Sequence, residues 1–114
     1  MSRQASGLRA WALQRISAAY LGLYLIYILG HLSFNAPDSY ESWRVYVADP
    51  GVTIGMLLFV SALLIHAWVG IRDVLIDYVH PIMARVALLS LFAIGLIGCG
   101  LWFARVIFLA SVAA

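Results

Sequence analysis

The stretch Pro50–Ile71, PGVTIGMLLFVSALLIHAWVGI, runs for 22 residues without an arginine, a lysine or a carboxylate. A helix that crosses the hydrocarbon core of a bilayer needs about 20 consecutive, mostly apolar residues. Two further stretches fit that description: Ile16–Pro37, again 22 residues, and Val86–Ala104, 19 residues, with apolar character continuing from Val106 onward. The runs are continuous rather than alternating, and in lipid only helices or closed barrels satisfy their own backbone. The expected fold is therefore all-α, an integral membrane bundle of three transmembrane helices over about residues 13–36, 50–79 and 82–110 of one domain, 1–114.

Composition excludes the other classes. Of the 114 residues 65% are hydrophobic and 11% charged, with a mean hydropathy of +1.00. Soluble domains run at about 45–50% apolar and about 25% charged, and disordered chains are more polar still. The net charge of +2 arises from seven arginines and five acids set singly along the chain, with no basic run suited to nucleic acid. One cysteine, Cys99, excludes an intrachain disulfide framework and a cysteine-cluster metal site.

Between the runs the chain is punctuated. Asn35 and Pro37 mark the end of the first helix, and Asp38-Ser-Tyr-Glu41 has capping-box spacing that predicts a short surface helix over Ser39–Val47. Tyr40, Trp43 and Tyr46 on that segment suit the headgroup region. Asp49-Pro50-Gly51 starts the second long helix, and His80-Pro81 separates it from the third. Arg3, Arg9, Arg15, Arg72 and Arg85 lie on one side of the expected bundle, against Arg44 and Arg105 on the other. The positive-inside rule then puts the N-terminus and second loop inside and the C-terminus outside. The apolar run after the basic opening is too long for a signal-peptide core, so the opening reads as the retained inner end of the first helix.

Ionisable groups in spanning helices are costly and call for a partner or a function. His66 lies within the second run, and at 100° per residue it shares a face with Asp73 and Asp77, ~10 and ~16 Å further along the axis. Gly70 leaves room on nearly the same face for a planar group or another helix. A neutral imidazole inside a bundle is a good haem-iron ligand; the alternative is a histidine hydrogen-bonded across to another helix. His31 lies near the other end of the first helix, so a second axial ligand would have to come from another chain. Asp77-Tyr78 pairs a phenol donor with a proton-relaying carboxylate, which suits a quinone oxygen; the alternative is an interfacial tyrosine beside a solvated acid. Arg15 opens the first helix at the same level, either as a snorkelling anchor or as the partner of a carboxylate such as a haem propionate. Tyr20, Tyr24, Tyr27 and His31, with Ser17 in line, read as a packing seam on one face, and the glycines at 51, 55, 95, 98 and 100 suggest close helix contacts.

Arg15-Ile-Ser-Ala, Leu23-Tyr-Leu-Ile-Tyr27, Ser39-Tyr-Glu-Ser-Trp43 and Leu64-Ile-His-Ala-Trp-Val-Gly70 followed by Asp73-Val-Leu-Ile-Asp-Tyr-Val79 resemble a known family. Over about residues 13–105 the chain is similar to the small hydrophobic anchor (D) subunits of bacterial succinate dehydrogenase, respiratory complex II. The resemblance implies that His66 is an axial ligand of haem b, with the other axial histidine on a companion C subunit in the same helical bundle. It implies that Tyr78 hydrogen-bonds the quinone, that Asp77 belongs to the same pocket, and that Arg15 lies near a haem propionate. It also implies an assembly in the bacterial inner membrane with a flavoprotein subunit, which carries FAD, and an iron–sulfur subunit, which carries the clusters. In that assembly this chain catalyses nothing alone. Two departures stand out: Arg9 where some relatives carry a histidine, and His31 in a segment that is usually apolar. The competing expectations are a haem-free anchor or assembly subunit and a small proton conductor built on His66, Asp73 and Asp77. Against a continuous proton relay, no ionisable residue lies between Pro50 and Ile65.

Overall fold

A computed structural model describes residues 3–113, so Met1, Ser2 and Ala114 of the expected domain lie outside the described residues. Four helices follow in order: α1 (Arg3–Phe34), α2 (Tyr40–Ala48), α3 (Pro50–Tyr78) and α4 (Ile82–Ala113), with no strand among the described residues. Three of them, α1, α3 and α4, are long and apolar enough to cross a membrane. At 1.5 Å per residue they are ~44–48 Å long against a hydrocarbon core of ~30 Å, so their ends project past it. The molecule is correspondingly elongated, 51 × 25 × 24 Å.

The starts and stops have local causes. Asp49 caps α3 by accepting the Val52 N–H at 3.3 Å, and Pro50 occupies the first turn, where its missing N–H costs nothing. The chain breaks at Val79-His80-Pro81 before α4 begins. The short α2 forms where the sequence places it, but its cap is Ser39 rather than Asp38. Ser39 has extended backbone (φ −153°, ψ 166°) and its Oγ accepts the Ser42 N–H at 3.1 Å. A hydroxyl one residue later than the box spacing indicated reaches the orphan amide, and Glu41 instead pairs with Arg44.

Helix α3 is central: α1 packs on one side of it and α4 on the other, while α2 lies across one end against α3 and α4. Among the described residues α1 and α4 do not approach each other. The α1–α3 seam is polar and aromatic. Tyr20 Oη donates to the Gly55 carbonyl at 2.9 Å, and Tyr24 packs on Phe59 with ring centres 4.9 Å apart. A Cβ on Gly55 would sit 3.3 Å from Tyr24 Cε2, so the glycine makes room for that ring. On the other side a Cβ on Gly100 would fall 2.7 Å from Leu64 Cδ1, which marks a close α3–α4 approach. Gly95 and Gly98 face open space within the chain, so of these three glycines it is Gly100 that makes the close helix contact suggested for this stretch.

At the α2 end His31 stacks on Tyr46 (4.6 Å, 13° between planes) and lies 6.0 Å from Tyr27. Burial, helped by the hydrogen bond shared with Tyr27, pushes the Tyr46 phenol above the ordinary tyrosine range. This aromatic group ties the surface helix to α1 and gives His31 a packing role far from His66.

If Ser39 is the cap, Ser39→Ala should cost about 1 kcal/mol of local α2 stability while Asp38→Ala costs much less. Amide hydrogen exchange at Ser42 and Trp43 measures the difference.

Candidate functional site

Gln14, Arg15, Ser17, His66, Arg72 and Asp73 gather toward the end of the bundle that carries the α3–α4 turn. Antiparallel packing sets Gln14 beside Gly70 and Ser17 beside His66, one helical turn apart on each helix. Ser17 is the one buried polar residue among those described, at 6% exposure. Its Oγ lies 3.1 Å from His66 Nδ1 and 3.1 Å from the Gln14 carbonyl of its own helix. The alternative in which His66 bonds across to another helix is met through Nδ1, and one ring nitrogen, Nε2, remains.

His66 lines a pocket of about 490 Å³ together with Trp11, Gln14, Arg15, Arg72 and Asp73. The Arg15 guanidinium lies over the Trp11 ring at 5.5 Å, and no carboxylate among the described residues reaches it. Arg72 pairs with Asp73 at 3.2 Å. Gln14 Oε1 is buried without a hydrogen-bond partner. Buried amide oxygens in native structures are rarely left so, and an orphan beside an unpaired guanidinium is what a polar ligand would complete. No group of three or more histidine, cysteine or carboxylate side chains converges among the described residues. A metal held here by His66 needs its further ligands from elsewhere.

Of the residues singled out in the sequence, His66, Arg15 and Asp73 come together, whereas Asp77 and Tyr78 do not line this pocket. They sit at the end of α3, exposed, with Tyr78 at 78%. Asp77 is ~16 Å along the helix axis from His66. His31 and Ser17 are 14 residues apart on α1, ~21 Å along the axis, so His31 and His66 do not share a site.

Two contributors escaped the sequence reading. Gln14 gave no signal beyond a polar residue one turn before Ser17. Arg85 counted only as a positive charge, yet its Nε donates to the Val79 carbonyl and its Nη2 to the Ile76 carbonyl, both at 3.0 Å. The last carbonyls of a helix lack intrahelical donors, and Arg85 supplies them from α4. The turn that carries Asp77 and Tyr78 is thereby fixed to the next helix.

A bundle of three long apolar helices, with an imidazole on its α1–α3 seam and a guanidinium lining the pocket beside it, defines a multi-pass membrane protein. The chain belongs to the family of succinate dehydrogenase/fumarate reductase transmembrane subunits, whose description matches residues 1–101. It is 32% identical over 96 residues, 84% of each chain, to the succinate dehydrogenase hydrophobic membrane anchor subunit of Coxiella burnetii (strain RSA 493 / Nine Mile phase I). It is thus a membrane anchor subunit of a succinate dehydrogenase/fumarate reductase, expected to partner with that complex's other subunits.

Removing the Arg85 bonds should loosen the end of α3. Arg85→Ala is expected to cost about 1 kcal/mol of local stability, read as faster amide exchange at Tyr78 and Val79 in the assembled protein, with Arg85→Lys intermediate.

Proposed function

We propose that this chain supplies one axial ligand, His66, to a haem b shared with a companion C-type anchor subunit, and that Tyr78 and Asp77 form part of a quinone-reduction site. The observation that carries the first half is the Ser17–His66 bond: it engages Nδ1 and leaves Nε2 as the nitrogen able to bind iron. The residues around it fit the group. Among the described residues Arg15 is a cation without a carboxylate partner, suited to a propionate, and it lines the same pocket as His66. When bound, the haem supplies a one-electron store within the membrane.

For the second half, the support is position and chemistry. Quinone becomes quinol by taking two electrons and two protons, and its oxygens gain negative charge on the way. The Tyr78 hydroxyl can donate a hydrogen bond to such an oxygen, and Asp77 next to it can pass protons from the aqueous side. Both are exposed at the end of α3, open to a partner that completes the pocket, and Arg85 holds that turn in place. The arginine distribution supports assigning this end to the cytoplasmic side of a bacterial inner membrane. That side is where flavoprotein and iron–sulfur subunits would dock, oxidise succinate to fumarate and pass on its electrons.

The same Ser17 bond also favours a second reading, in which His66 serves helix packing alone and the anchor is haem-free. A reduced-minus-oxidised spectrum of the co-purified complex separates the two. On the proposed function the complex shows a b-type band that His66→Ala abolishes; a band unchanged in His66→Ala, or its absence from the wild type, supports the packing reading.

Tyr78→Phe should lower quinone reduction by about a hundredfold while succinate oxidation with an artificial acceptor persists. Equal loss of both activities would mean failed assembly rather than a lost quinone contact.

A further inference from the structure

We propose that Ser17 is a positioning residue for His66, holding the imidazole in the tautomer with its proton on Nδ1 so that the Nε2 lone pair is free for iron; this rests on the haem reading above. A serine hydroxyl has one proton and two lone pairs. Ser17 is buried, and its Oγ has two neighbours at 3.1 Å, the Gln14 carbonyl and His66 Nδ1. The carbonyl can only accept, so the hydroxyl proton goes there, as serines in helices commonly bond back to the preceding turn. Oγ then offers the ring a lone pair, which only a protonated Nδ1 can use. In a neutral imidazole a proton on Nδ1 leaves Nε2 as the acceptor.

The reverse arrangement has Ser17 donating to Nδ1 and Nε2 carrying the proton. It would turn the Ser17 hydroxyl proton away from the Gln14 carbonyl and put a proton on Nε2, which would block metal binding there. The first arrangement uses both 3.1 Å contacts of the Ser17 hydroxyl, one as donor and one as acceptor. It also ties the ring to α1, so that the imidazole cannot turn about its own axis without losing the bond. An Nδ1–H donating to a fixed oxygen raises the basicity of the ligating nitrogen, which favours ferric over ferrous iron. Outer partners of this kind are typically worth about 10–100-fold in metal affinity.

The test uses two preparations. In the full chain in detergent without haem, nitrogen-15 NMR of His66 should show the Nδ1–H tautomer, and Ser17→Ala should shift it toward Nε2–H. In the assembled complex, Ser17→Ala should weaken haem retention by about tenfold and raise the midpoint potential of the b-type band, whereas Ser17→Thr, which keeps the hydroxyl, should behave as wild type. A tenfold loss of preference for the ferric form corresponds to about 59 mV for a one-electron couple. An Nε2–H tautomer in the wild-type chain, or unchanged haem retention and potential in Ser17→Ala, would overturn the inference. His66→Ala retaining its haem would instead overturn the haem reading itself, so the two failures are distinguishable.

Discussion

Hydrocarbon offers no hydrogen bonds, so every polar group placed inside a spanning helix must find its partner within the protein. That constraint orders this chain. Apolar side chains gain little by leaving lipid for another helix, because lipid tails are as apolar as leucine. Packing of leucines therefore cannot by itself set how α1 slides or turns against α3. The polar contacts can: Tyr20 to the Gly55 carbonyl and Ser17 to His66 sit on one face of each helix and lock a single register. Tyr24 on Phe59 fills the space between them. The bonds that fix the seam also decide which ring nitrogen of His66 is engaged, so structure and site share one set of atoms.

The helices themselves were legible in the sequence because length and uninterrupted apolar character suffice to identify them. Their punctuation was legible too, since Pro50, Pro81 and the aspartate before Pro50 act through local geometry. The cap of α2 was off by one residue because Asp38 and Ser39 are both good caps, and only the chain path out of α1 selects between them. Gly95 and Gly98 show the limit of small-residue patterns. Spacing shows that a helix is thin there, but not which side a neighbour occupies, and within this chain α3 meets α4 at Gly100 instead.

The site was legible in its charged and aromatic members and not in its neutral ones. An imidazole or guanidinium in an apolar run announces itself by its cost, whereas Ser17 and Gln14 cost little and could face anywhere on α1. Pairing across helices depends on register, which one-dimensional spacing does not contain. Arg85 illustrates the same gap: its charge was visible, but its bonds to the α3 carbonyls depend on how α4 folds back after Pro81.

Large exposed apolar surfaces would be anomalous in a soluble protein, but on these helices they carry no information, because lipid and a partner helix cover them equally well. Polar groups discriminate where leucines do not. Beside His66, Arg15 has no acid among the described residues and Gln14 Oε1 no donor, and lipid tails can satisfy neither. Among the described residues α3 alone touches both other spanning helices, and the pocket is lined from α1 and α3 only. A carboxylate from outside the chain would pair with Arg15, whereas the Gln14 oxygen calls for a hydrogen-bond donor. The incompleteness of the polar chemistry, rather than the extent of the apolar surface, is therefore what supports the proposal that this anchor holds one half of a shared site.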